Sequence, residues 1–119
     1  MVTRRASKAP IDRGGWNLFH TWGAASDASP TVNAALRTNG DKAWFGWPDD
    51  AKLEALIGDW FKAPDLAAQK RVAAEIQIEA YRSLPYIPTG QFVIPTAYRS
   101  TLHGIIIAPV VFMWNVAKD

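Results

Sequence analysis

The stretch PDDAKLEALIGDWFKAPDLAAQKRVAAEIQIEAYRSLPYIPTGQ, residues 48–91, decides how this chain folds. Leu53, Leu56, Ile57, Trp60 and Phe61 recur at the spacing of one helical face. Pro48 suits a first helical position, where a missing N–H costs nothing. Asp49 and Asp50 put negative charge in the first turn, which the helix dipole favours. Ala63-Pro64-Asp65 stops this helix and starts a second, with Asp65 as its N-cap. In the second helix Leu66, Ala73, Ile76, Ala80 and Leu84 share a face, flanked by Val72. Gln69, Lys70, Arg71, Glu75 and Glu79 read as mostly outward. Pro85 ends the helix, and residues 86–94 read as an extended crossing segment. None of these residues forms a chemical motif. The hairpin is scaffold, and function must come from what it holds in place.

The chain has 119 residues, enough for one domain with a modest core. It has no cysteine, which excludes disulfides, a thiolate metal site and a cysteine nucleophile. The net charge is +2 and uneven: Arg4, Arg5, Lys8 and Arg13 against Asp12 leave +3 in the first 13 residues and −1 over the rest. Such a start reads as a solvated terminus. Nucleic-acid binding wants a basic stripe on the folded body, and the body carries none. Hydrophobic residues reach 49%, with six Trp, which is apolar for so short a chain. Either large rings fill the core, or apolar surface is meant for a partner, a homo-oligomer being one outcome. No apolar segment follows the basic start, so no secretory signal peptide is read. Residues 100–117 carry no Lys, Arg, Asp or Glu, but Ser100, Thr101, His103, Gly104, Pro109 and Asn115 interrupt them, and insertion into a membrane is not expected.

Outside the hairpin, residues 1–15 read as a frayed basic loop. Trp16-Asn17-Leu18-Phe19-His20-Thr21-Trp22 is a strand pattern, with Trp16, Leu18, His20 and Trp22 on one face. Gly23-Ala24-Ala25-Ser26-Asp27-Ala28-Ser29-Pro30 follows. Small residues leave room for a ligand against the backbone, although an ordinary turn fits the same letters. Residues 31–38 suggest a short helix and Asn39-Gly40-Asp41 a turn. Trp44-Phe45-Gly46-Trp47 is a dense aromatic patch, suited either to wedging a loop onto the core or to a stacking wall. Residues 92–98 read as extended and 99–104 as a turn. Ile105-Ile106-Ile107 and residues 110–114 read as buried strands.

Chemistry finds little support. His20 and His103 are far apart and lack ligand-spaced partners. His20 reads as a core or pocket-wall residue and His103 as a turn residue. Asp49-Asp50 is explained by helix-start chemistry. A triad of Ser26, Asp27 and His20 lacks a strained turn to present a nucleophile. No phosphate loop or dinucleotide fingerprint occurs, and neither catalysis nor a cofactor is expected.

Taken in order, several segments resemble the C-terminal part of the family 5 extracellular solute-binding proteins, the peptide, nickel and related-solute receptors of bacterial ABC importers. Gly15-Trp16-Asn17-Leu18-Phe19-His20-Thr21-Trp22 resembles the family's strand into the ligand cleft. Phe45-Gly46-Trp47-Pro48-Asp49, continued by Lys52-Leu53, is similar to its aromatic-x-x-Pro-acidic turn before a helix. Asp65-Leu66-Ala67-Ala68-Gln69-Lys70-Arg71 is similar to its next helix start, and Leu84-Pro85-Tyr86-Ile87-Pro88 to the segment after it. Phe112-Met113-Trp114-Asn115 resembles the closing aromatic-Asn strand.

The resemblance implies an α/β fold, part of a two-lobed periplasmic-binding-protein-like architecture, with the helical pair packed on short strands. By the same implication, residues 16–88 belong to the second lobe and residues 89–119 return to the first. The parent is then a periplasmic receptor that binds a peptide-like or other small solute between its lobes and delivers it to a permease. In peptide-binding members an aspartate after the cleft strand meets the peptide's amino terminus. Ser26 stands at that place by ungapped reading, with Asp27 one step on. The implied pocket wall is Trp22, Gly23, Ala24, Ser26 and Asp27, with Trp44 beside it. Two other readings stay open: a standalone homodimeric interaction domain, and a small aromatic carbohydrate-binding module. The first requires residues 105–114 to be buried in the chain's own core. The second requires Trp22, Trp44 or Trp47 to be exposed and roughly coplanar.

Overall fold

The computed structural model describes residues 2–24, 29–30, 32–108 and 111–119. Its element order is α1 (Val2–Arg5), α2 (Ala51–Lys62), α3 (Leu66–Ser83), β1 (Leu102–His103) and β2 (Ala117–Lys118), with short 3-10 turns at Ile11–Arg13, Ala34–Leu36 and Gly40–Lys42. It is a mixed structure of helices and one small sheet. β1 and β2 pair antiparallel, Leu102 opposite Lys118 and His103 opposite Ala117.

The helical hairpin forms where the periodicity places it. Its first helix begins at Ala51, three residues later than Pro48 suggests, because Asp50 is the N-cap. The Asp50 carboxylate accepts from the N–H groups of Lys52 and Leu53, both at 3.0 Å. That satisfies donors that have no partner inside the helix. The Leu53 N–H foremost holds this carboxyl below its ordinary value, against the opposing effect of burial. Asp49 instead bridges to Asn39. Asp65 caps α3 through Ala68 N–H at 2.7 Å, as the Pro-Asp pair implies. Leu84 closes α3 in a left-handed conformation, φ 51°, just before Pro85.

Leu53 and Ile57 of α2 meet Ile76 of α3 and Leu36 of the 3-10 turn, with Leu56, Trp60, Val72 and Ala80 packed around them. The pair therefore packs on a loop, not on strands, and neither β1 nor β2 joins this core. Phe61, Leu66 and Leu84 sit on the predicted faces yet stay exposed. Glu79 turns inward instead of outward. It is 8% exposed and pairs with Lys52 across the hairpin. The loop before α2 is braced in the same way. Arg37 grips Glu54 at 3.0 and 2.7 Å, Glu54 also accepts the Thr38 N–H at 2.7 Å, and buried Thr38 donates to the Asp50 carbonyl at 2.9 Å.

Residues 16–22 are not a ladder strand, because no segment among the described residues pairs with them. The alternation fails too: Trp16 and Phe19 pack edge to face at 4.8 Å, while Leu18, His20 and Trp22 are exposed. His20 is thus not a core residue. Within the basic start, Arg5 of α1 and Lys8 lie against the aromatic patch. Gly15 permits this, since a Cβ there would stand 1.7 Å from the Ala9 carbonyl oxygen.

The tail differs most from expectation. Residues 84–99 carry no helix or ladder. Ile106 and Phe112 form a single antiparallel bridge, and Ile107 is 99% exposed, with Val111, Met113 and Trp114 also open. These are not buried strands, because no second sheet face among the described residues covers them. Gly104 allows the turn to close, its backbone lying where a Cβ would stand 2.1 Å from the Asn115 carbonyl oxygen. His103 lies in β1 rather than in the turn, its Nε2 2.6 Å from Asp119 Oδ2.

The chain is spread out for its size. Its radius of gyration is 18.8 Å, against roughly 13–14 Å for a compact domain of this length. Its accessible surface is 9424 Å², against about 6,400 Å² expected for a folded monomer of this mass. Among the described residues, no helix is long and apolar enough to cross a membrane.

Candidate functional site

The aromatic patch is a built wall rather than a loose run of rings. Phe19 meets Trp44 edge-on at 5.6 Å and Phe45 at 6.4 Å, and Trp44 meets Phe45 at 5.3 Å. Edge-to-face contact is the favoured geometry for such rings. Trp16 joins from the other side, 6.2 Å from Trp47, and its Nε1–H donates to the Arg5 carbonyl at 2.9 Å. The Arg5 guanidinium lies over Phe19, Trp44 and Phe45, and Lys8 lies 4.8 Å from the Trp47 ring centre. Lys8 also pairs with Asp41, which lowers that carboxyl from its ordinary value. The basic start is therefore the clamp of this wall. Its role was not legible from charge alone, because cation–ring contact depends on which segments meet in space.

One side of the wall borders a cleft of about 470 Å³. Trp22, Gly23, Ala24 and Trp44 all line it, so the structure brings together four of the six residues singled out from the sequence. The other two, Ser26 and Asp27, lie outside the described residues. Asn33, Tyr86 and Pro88 line it as well, and sequence reading missed them as site residues. Tyr86 and Pro88 were visible only as part of an extended crossing segment. Trp22 is 68% exposed and also borders a second hollow of about 680 Å³, where it meets Phe92 edge-on at 6.5 Å. A groove of about 530 Å³ runs along α3 past Ile76, Ala80 and Tyr81, sharing Asn33, Tyr86 and Pro88 with the first cleft.

The lining sets Trp22, Trp44, Tyr86 and Ile87 beside polar groups such as Thr21, Asn33 and Thr89. It does not form a flat sugar platform from Trp22, Trp44 and Trp47. Trp44 and Trp47 are half-buried with cations over their faces, and only Trp22 of the three is exposed. The requirement of the standalone-domain reading also fails. Ile107, Val111, Met113 and Trp114 are exposed rather than enclosed in the chain's own core. Among the described residues, no group of three His, Asp or Glu side chains could hold a metal ion.

No protein-family model matches the chain. It is 38% identical, across 99% of its length, to a probable peptide ABC transporter periplasmic-binding protein of Sinorhizobium fredii, and it spans 22% of that protein. The resemblance read from the ordered segments is thereby borne out: this chain is similar, almost end to end, to about a fifth of a peptide ABC transporter periplasmic-binding protein.

Proposed function

We propose that this chain is a C-terminal portion of the periplasmic receptor of an ABC importer. In the whole receptor it contributes one wall of an interlobe cleft that binds peptide-like or other small solutes. Residues 16–88 then belong to the second lobe and residues 89–119 return to the first. The receptor closes on its solute by hinge motion and hands it to a membrane permease. Binding rests on ring contact and hydrogen bonds, without catalysis. Trp22, Gly23, Ala24, Ser26, Asp27 and Trp44 are the proposed solute-facing residues.

The observation that carries this reading is the near end-to-end similarity to the S. fredii protein. Two structural features support it. Trp22, Gly23, Ala24 and Trp44 border one cleft. The open side chains of the tail fit a segment whose sheet neighbours come from elsewhere in a larger fold.

A chimera tests it. The matched segment of the S. fredii protein is replaced by this chain, and the purified product is melted and titrated with trialanine. A sharp single melt and measurable binding, weakened at least about tenfold by Trp22→Ala, are expected. A chimera that folds sharply but binds no peptide overturns the solute-site reading. A chimera that cannot fold overturns the shared-fold reading.

A further inference from the structure

The Arg5 guanidinium has more aromatic contact than a solvated terminus needs. It stands 5.3 Å from the Phe19 ring centre, 5.9 Å from Trp44 and 5.3 Å from Phe45. These three rings also touch one another, so the cation caps a closed trio. The Arg5 Nε is shut off from solvent and has no hydrogen-bond acceptor among the described residues. No carboxylate pairs with Arg5 among them either, whereas Lys8 is shared between Trp47 and Asp41. The negative ring faces are the partner that the Arg5 charge has. Its backbone is tied to the same cluster, because Trp16 Nε1–H donates to its carbonyl and the Trp16 ring packs on Phe19. Of the capped trio, Trp44 alone lines the cleft.

We propose that Arg5 is a positioning residue whose positive charge, rather than its bulk, fixes the Trp44 ring in the cleft wall. Its importance for binding rests on the solute-site reading above. Its effect on Trp44 does not.

The test is ¹⁹F NMR of the full chain carrying 5-fluorotryptophan, with the Trp44 signal assigned through Trp44→Phe. Arg5→Met keeps an apolar stem and removes the charge. It is expected to move the Trp44 signal and leave that of the exposed Trp114, which meets Phe112 and not the capped trio, in place. Arg5→Lys, which keeps a cation, is expected to restore most of the shift, and it carries the comparison if Arg5→Met melts early. Arg5→Ala opens a gap beside the rings. Ethylguanidinium is expected to return the Trp44 signal toward its original position, and neutral ethylurea of similar shape is not.

An unchanged Trp44 signal in Arg5→Met, or equal rescue by ethylurea, overturns the proposal. In the chimera described above, Arg5→Met is expected to weaken trialanine binding severalfold. A displaced Trp44 with unchanged trialanine affinity upholds the positioning role and counts against the cleft as the solute site.

Discussion

Leu53 in α2 is 0% exposed and Ile107 in the tail is 99% exposed, although both are aliphatic residues within apolar stretches. The difference lies in how far each must reach for a partner. A helix satisfies its own backbone hydrogen bonds and needs only one neighbour for its apolar stripe. α2 finds that neighbour in α3, across the short Ala63-Pro64-Asp65 link. A strand satisfies neither its backbone nor its side chains alone. Beyond the Ile106–Phe112 bridge and the two-residue pairing of β1 with β2, the described tail has no ladder partners. Apolar composition is therefore necessary for a core but does not say whether the core lies within the same stretch of chain.

The sharpest way to break this contrast is to truncate one residue from each region. Leu53→Ala is expected to destabilise the chain by about 2–5 kcal/mol in urea unfolding, from lost burial and the cavity left behind. Ile107→Ala is expected to change stability by less than about 0.5 kcal/mol. If the two cost the same, the tail has a core of its own and the contrast is wrong.

Asp50→Ala should cost about 1 kcal/mol, the usual value of an N-cap. The lowered Asp50 carboxyl adds a pH signature. Its stabilisation is fully present above the ordinary carboxylate value of about 4 and is lost as pH falls through the lowered folded value. Thermal melts of Asp50→Asn between neutral and strongly acid pH should therefore show a shallower acid decline than the parent chain.

Glu79→Ala is expected to cost roughly 0.5–1 kcal/mol. Its Lys52 partner is largely exposed, so solvent screens the pair. A double-mutant cycle with Lys52→Ala, repeated at high salt, measures the coupling. A coupling that ignores salt would point to packing rather than charge.

The smallest effect is expected from His103→Ala, within about 0.5 kcal/mol, because its contact with Asp119 is exposed. Amide exchange sharpens the comparison without mutation. Backbone amides of α2 and α3 near Leu53, Ile57 and Ile76 should be protected, while those of residues 92–98 exchange at rates close to an unfolded chain.

The hairpin was legible from the residues alone. The 3.6-residue period of Leu53, Leu56, Ile57 and Trp60, the Asp65 cap and the stop before Pro85 are local signals, and local signals suffice for a helix. The sequence also carried the ordered segments that resemble a solute receptor, and it pointed to Trp22, Gly23, Ala24 and Trp44, which line one cleft. Tertiary structure decided the rest. Pro48 matched the letters of a helix start, but the hydrogen bonds of Asp50 set the boundary. Glu79 looked solvent-facing until Lys52 arrived from the other helix. The alternating pattern of residues 16–22 promised a strand, yet no ladder partner stands beside it among the described residues. The basic start looked like a solvated end, but Arg5 and Lys8 meet rings about 14 to 40 positions away along the chain. The inward turn of Glu79 and the docking of Arg5 and Lys8 rest on contacts between residues far apart in the chain, whereas the Asp50 cap is set by bonds two and three positions away. Periodicity and propensity describe only what a segment offers, whereas burial depends on what comes to meet it.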